Sequence, residues 1–391
     1  MKITLLTGGS DRPYAFGIVT TLVSAGISVD FIGSNEHIAA EVLNNPRINF
    51  LNLRGDTDSN APIKQKMSRI LNYYLNILKY TATTDTKLFH ILWANRFIIV
   101  DRLLINLYYK LFGKKLVLTA HNVNDKQRDG GDNRFNRWTL RCFYALMDHI
   151  FVHTEKMKLQ LLHDFNVPET KVSVIPFGIN NTLPNSSLTR DEARSQLSIE
   201  KDEKVLLFFG RVAEYKGMEL AVNALEKLLE TDNHFRLVVA GKIEQGHEAH
   251  WALVESVIAA KNLGNHVLRN IGYIPDEKVE LYFKSADVLI LPYKDIFQSG
   301  VLFLAYSFGL PVIATDVGSF QEDIIEGETG MICQPDNAVA FADTVLRYFD
   351  SPMYRNFDET AAKIKSYGNK KHSWDVVGQI TSNVYNKLLA C

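Results

Sequence analysis

The chain has 391 residues, more than one hydrophobic core comfortably serves, so two domains of roughly 150–200 residues are expected. The composition is that of a globular protein, 46% hydrophobic and 22% charged, and a net charge of −1 leaves nothing in the global balance that calls for nucleic acid. Three distant cysteines, Cys142, Cys333 and Cys391, match no metal or redox spacing, and their scarcity fits a reducing cytoplasm.

The opening run 2–7 is too short for the apolar core of a signal peptide, and no run approaches the ~18–20 apolar residues that span a bilayer. The expectation is a cytoplasmic protein, with a surface that can associate with the inner face of a membrane. Apolar runs predict strands at 2–7, 28–33, 89–93, 115–121, 149–154 and 172–178 in the first half. A second set is predicted at 204–210, 235–241, 267–274, 286–293, 311–316 and 330–335. Continuous rather than alternating hydrophobicity indicates strands buried on both faces, hence parallel sheets with crossover helices.

The fold class is therefore α/β, with two doubly wound, Rossmann-like domains. The polar stretch "GINNTLPNSSLTRDEARSQL" marks the boundary, giving domains at 1–180 and 181–370. A terminal helix, 371–391, carries Trp374, Val377, Ile380, Val384 and Leu388 on one side and can pack on either domain, back onto the first included.

In open parallel sheets, ligands bind beyond the carboxyl ends of the strands. Gly8 and Gly9 end the first strand and precede a helix-like run, a turn that permits close approach of a ligand. It is neither a dinucleotide fingerprint nor a P-loop. His121 ends "KLVLTAH" at a strand's carboxyl edge, and the polar stretch 122–138 after it has the length of a lid or substrate loop. In "FFGRVAEYKG" a strand runs into Gly210, Arg211, Lys216 and Gly217. An arginine fork and a lysine point charge suit phosphate oxygens; the plain alternative is that Lys216 pairs with Glu214 or Glu219 on the surface. A helix is predicted from Ser299 to Gly309, leaving the amides around Ser299, Gly300 and Val301 able to receive an anion. Segments 61–80 and 102–115 mix basic and apolar residues, as do helices that lie on anionic lipid headgroups or that pack on a domain with snorkelling lysines.

Taken together, "TGGSDRPYAFGIVTTLVSAGISVDFIG", "KLVLTAHNV", "VSVIPFGIN", "FFGRVAEYKGMELAVNAL" and "FGLPVIATDVGSFQEDIIEGETGMI" resemble the retaining, GT-B-fold glycosyltransferases that use nucleotide diphosphate sugars. The resemblance spans nearly the whole chain. It implies a metal-independent hexosyltransferase without a cofactor, its two domains facing each other across a cleft and a UDP-sugar the default donor. The acceptor would be a saccharide or a lipid-linked molecule of surface polysaccharide or glycoconjugate synthesis. By the same resemblance Arg211 and Lys216 hold the donor diphosphate, with Gly210 and the amides of Ser299, Gly300 and Val301. His121 faces the transferred sugar, and Gly8 and Gly9 line the site beside it. One departure stands out: the family's two glutamates, with seven residues between them, fall here on Ile296 and Leu304. Asp295, one residue before the first, is the carboxylate expected to take part of its place in donor binding. A catalytically silent partner of the same fold, or another GT-B enzyme such as a nucleotide-sugar epimerase, is the alternative.

Overall fold

The structure is a computed structural model that describes all residues except 9–11, 59, 60, 96, 129, 180–182, 184 and 391, and the side chains of 125 and 128. It divides into two compact units, Met1–Gly178 with Ser373–Cys391, and Ile179–His372.

The first unit is built on a seven-stranded parallel sheet, β1 (Lys2–Leu6), β2 (Ser28–Gly33), β3 (Ile48–Asn52), β4 (Leu88–Ile91), β5 (Lys115–Thr119), β6 (His149–Val152) and β7 (Val172–Val174). The strand order is β3-β2-β1-β4-β5-β6-β7, with Thr4 level with Asp30 on one side and Phe89 on the other. The second unit has six parallel strands, β8 (Lys204–Phe209), β9 (Phe235–Gly241), β10 (Val267–Ile271), β11 (Val288–Leu291), β12 (Val312–Thr315) and β13 (Gly330–Cys333). Their order is β10-β9-β8-β11-β12-β13. Both are doubly wound sheets whose order reverses beside the first strand, where such folds place ligands. Strand β3 is absent from the strands predicted by apolar runs. Its residues alternate, Ile48 and Phe50 with Asn49 and Asn52, because it is a partly covered edge strand and lacks the all-apolar signature of a central one.

The sheet of the first unit is covered on both faces. One layer is led by Ile77, Tyr109, Phe143 and Leu161. The other combines the Arg12–Ser24 helix with the terminal helix Trp374–Ala390, through Ile18, Leu22, Val377, Val384 and Tyr385. The terminal helix is locked in by close fit. Thr21 Oγ1 donates to the Trp374 carbonyl at 2.8 Å, and a Cβ placed on Gly17 or Gly178 would fall 2.0 or 2.4 Å from the Trp374 ring. Tyr385 Oη reaches His90 Nδ1 inside the sheet at 2.5 Å.

In the second unit, buried Asp287 ties the layers together. It binds Arg190, takes a 2.8 Å bond from Arg194 Nη2, and accepts from the Val205 amide at 2.7 Å. That network lies at the amino ends of β8 and β11, away from the ligand-binding edge.

The two basic segments differ in the structure. In 102–115 the cations serve the fold: Arg102 bonds Asn136 and Thr139, Lys110 pairs with Asp148, and Lys114 donates to the carbonyls of Thr84 and Thr86. The helix Ile63–Thr83 is anchored to the sheet through its second half, where Tyr80 Oη bridges Thr4 and Asp30, each at 2.7 Å, while in its first half Arg69 pairs with Asp56 and donates to the Asp58 carbonyl. Its apolar stripe runs on uncovered into the first half. Ile77 is fully buried, whereas Ile63 and Met67 are 74% and 65% exposed.

Candidate functional site

In the first unit, Gly8, Trp93 and His121 each lie two residues beyond the adjacent strands β1, β4 and β5 and meet at the carboxyl edge. Gly8 has φ +60°, and a Cβ there would lie 2.2 Å from the Trp93 carbonyl oxygen, so the turn admits no side chain. Gly9 lies outside the described residues. The Trp93 indole stacks on the His121 imidazole, 4.3 Å between centroids and 5° between planes, and Tyr14 meets the same ring edge-on at 4.6 Å. His153, just past β6, brings Nε2 to 3.0 Å from His121 Nδ1. Burial pushes His153 down to about 4; burial, with His153 next, holds His121 well below the usual imidazole range. Both rings are neutral at pH 7. His121 Nε2 is buried without a hydrogen-bond partner among the described residues.

His121 also lines a cavity of about 150 Å³ with Trp93, Asn122 and Arg102. A larger concavity, about 470 Å³ between Lys2, Lys87 and Asn386, opens at the amino ends of the strands. Position in the fold, not volume, makes the His121 edge the candidate site. The stretch 122–138 is less of a loop than its composition predicts. Asn133 caps the helix Arg134–Leu146, and Asn136 Nδ2 donates to the buried Asn124 at 2.9 Å.

In the second unit the site gathers around Lys216. Gly210 follows β8 at φ +105°, and a Cβ on it would lie 3.5 Å from Lys216 Nζ and 3.4 Å from Val301 Cγ2. Lys216 is only 7% exposed and holds its ammonium 5.1 Å from the centroid of the Tyr293 ring. Among the described residues it makes no ion pair. Glu219, one of the two carboxylates that could have paired with it on the surface, is instead engaged by Lys294. The loop 292–299 is fixed against this turn, since a Cβ on Gly217 (φ +64°) would sit 1.9 Å from the Pro292 carbonyl oxygen, and the Lys294 amide donates to Tyr215.

The helix Gly300–Phe308 begins after Ser299 and stops at left-handed Gly309. The Ser299 side chain is buried and makes no capping bond, which leaves the first amides of this helix without that internal acceptor. Gly210, Lys216, Gly300 and Val301 thus lie together. Arg211 does not join them: its side chain is 70% exposed and pairs with Glu244 at 3.4 Å. Asp295 is exposed on the loop. Ile296 fills its place by apolar contact, with its carbonyl where a Cβ on Gly318 would be, and Leu304 is half-buried on the helix. Beneath the loop, Asp323 accepts from Ser319 at 2.8 Å and Gln298 at 3.3 Å, and burial pushes its carboxyl up to about 6. Among the described residues no cluster of three His, Cys, Asp or Glu side chains could hold a metal ion.

Sequence reasoning missed Trp93, His153, Tyr14 and Tyr293. Trp93, His153 and Tyr293 each lie within two residues of a strand's carboxyl end, the same positional signal that singled out His121. Tyr14 comes from the helix and had no such marker.

The chain matches family models over both halves: residues 14–183 the Glycosyltransferase Family 4 model, and residues 189–371 the Glycosyl transferases group 1 model. An uncharacterized glycosyltransferase of Methanocaldococcus jannaschii is 30% identical over 237 residues, 59% of this chain and 58% of that protein. The chain thus spans about three fifths of that relative's length. Among solved structures, sucrose-phosphate synthase from Thermosynechococcus elongatus superposes with a TM-score of 0.78 at 20% identity, covering 100% of this chain and 99% of the other. The Anabaena HepE protein in complex with UDP-glucose gives 0.75 at 14% identity, covering 99% and 100%. With both domains matched in order and the doubly wound sheets in place, the chain belongs to the GT-B glycosyltransferases.

Proposed function

We propose that the chain is an active, metal-independent, retaining glycosyltransferase that moves a hexose from a nucleotide diphosphate donor, UDP-linked by default, to a saccharide or lipid-linked acceptor. The observation that carries this reading is Lys216: a buried ammonium, without a carboxylate partner among the described residues, set beside Gly210 and the first turn of the Gly300–Phe308 helix. A buried cation of this kind calls for an anion, and a helix N-terminus favours the same charge. Departure of the nucleoside diphosphate develops negative charge that Lys216 and the helix amides stabilise, with Arg211 swinging from Glu244 to join them. In the retaining reading the leaving phosphate oxygen takes the acceptor hydroxyl's proton. The UDP-glucose complex of the HepE protein supports the donor class.

Calorimetric titration of metal-free protein with UDP, GDP, dTDP and ADP tests it. Binding of one nucleotide, lost in Lys216→Ala, supports the reading. Ile296 and Leu304, where the family carries glutamates, favour the alternative of a silent partner, and a folded protein that binds no nucleotide would establish that alternative.

The acceptor side of the proposal includes peripheral contact with an anionic, cytoplasm-facing membrane. The Ile63–Thr83 helix supports it: Ile63, Met67 and Leu71 are uncovered, and Lys64, Lys66 and Lys79 stand on a helix with no acid, while Arg69 is taken up by Asp56. Co-sedimentation with anionic but not zwitterionic vesicles, lost in Lys64→Glu/Lys66→Glu, is the expected result.

A further inference from the structure

The His121–His153 pair has a proton order that is set from the backbone. The Ile175 carbonyl can only accept, so its 3.2 Å contact with His153 Nδ1 puts a proton on that nitrogen. A neutral His153 then carries a lone pair on Nε2. That atom lies 3.0 Å from His121 Nδ1, which must therefore be the protonated nitrogen of His121. Neutral His121 is left with a bare lone pair on Nε2, the buried atom that has no partner among the described residues.

The ring has little freedom to do otherwise. Trp93 stacks on its face, Tyr14 meets it edge-on, and Phe177 approaches at 6.3 Å. The influences on the two imidazoles are burial, each other, His90 and the Ile175 carbonyl, none of them acidic.

We propose that His153 is a positioning residue that holds His121 in its Nδ1–H tautomer, so that His121 Nε2 accepts a hydrogen bond from a hydroxyl of the bound donor sugar. This rests on the functional reading above for the sugar, but not for the proton order. A site with an obligate acceptor recognises a hydroxyl and discriminates against a sugar lacking one at that position, whereas the opposite tautomer would donate to ether and carbonyl oxygens as well. His153 thereby determines specificity without touching substrate.

The experiment uses the full chain with ¹⁵N-labelled histidine, and long-range ¹H–¹⁵N correlation spectra that report which imidazole nitrogen bears the proton. Wild type is expected to show His121 protonated on Nδ1. His153→Leu should release His121 to the other tautomer, while His153→Gln, whose amide oxygen can accept, should keep it. In parallel, the affinity of UDP-glucose relative to UDP should fall about three- to tenfold in His153→Leu, the worth of one hydrogen bond, and persist in His153→Gln.

His121 protonated on Nε2 in wild type overturns the proposal, as does a His153→Leu variant with unchanged tautomer and unchanged affinity ratio. The tautomer is read without ligand. An intact Nδ1–H order in a protein that binds no nucleotide would therefore overturn the sugar contact and the functional reading together, while establishing the order itself.

Discussion

The two carboxyl-edge clusters are built from opposite materials. In the first unit, His121 is enclosed by Trp93, Tyr14 and His153, all neutral, and presents a lone pair. In the second, glycines at positive φ clear the space around a lysine and a helix start. Neutral aromatic walls with one oriented acceptor suit the hydroxyls and apolar faces of a sugar. A cation, a dipole and bare backbone suit phosphate. The same doubly wound sheet supports both, because it fixes only where strand ends lie; the residue following each strand decides the chemistry.

The sharpest way to break this comparison is Lys216→Ala. If the second cluster binds the diphosphate, sugar transfer should fall about 30- to 1000-fold, from the roughly 2–4 kcal/mol attached to such a group. Arg211→Ala should reduce transfer less, because that side chain starts exposed and paired with Glu244. Equal losses in steady-state kinetics would show that Arg211 is recruited fully.

Next in size is Asp287→Ala, which leaves Arg194 buried without its carboxylate and should destabilise the second unit by about 3–5 kcal/mol. Region-resolved hydrogen exchange should show the first unit's protection unchanged. Gly217→Ala comes third: a left-handed residue facing the Pro292 carbonyl should lose at least about 2 kcal/mol by chemical denaturation, against about 1 kcal/mol for Gly26→Ala, whose surroundings are open.

Acid should separate the units. His90 is pushed down to about 3, and His149 and His153 to about 4, by burial first in each case. The unfolded first unit therefore takes up protons that the folded one refuses, and stability is lost as pH falls from about 6.5 toward 4. Asp323 works the other way. With its carboxyl at about 6 when folded, the second unit holds a proton the unfolded chain releases, so this contribution to stability is lost as pH rises from about 4 to 6. Hydrogen exchange at pH 4.5 and 7 should show the first unit loosening in acid, and Asp323→Asn should remove the second unit's opposing pH dependence. The smallest expected effect is Tyr385→Phe, which leaves His90 Nδ1 buried and unpartnered; about 1–2 kcal/mol of first-unit stability should be lost in thermal melts.

Read alone, the chain determines its class and most of its strands, because short continuous apolar runs that end in glycine or polar turns suit strands covered on both faces and little else. The Gly300–Phe308 helix is legible from local signals too: a serine at the cap position, although its side chain makes no cap, an apolar body and a terminal glycine. Gly8, Gly210, Lys216 and His121 can be singled out by position at strand ends. Tertiary structure decided what those positions touch. Only packing shows that Glu219 belongs to Lys294 rather than Lys216, or that His153 hydrogen-bonds His121 from 32 residues away. The same holds for the terminal helix, whose apolar side fits either domain until Trp374 meets Gly17 and Gly178. Periodicity records that a face is buried; complementarity with a distant surface, which no local window contains, decides against what.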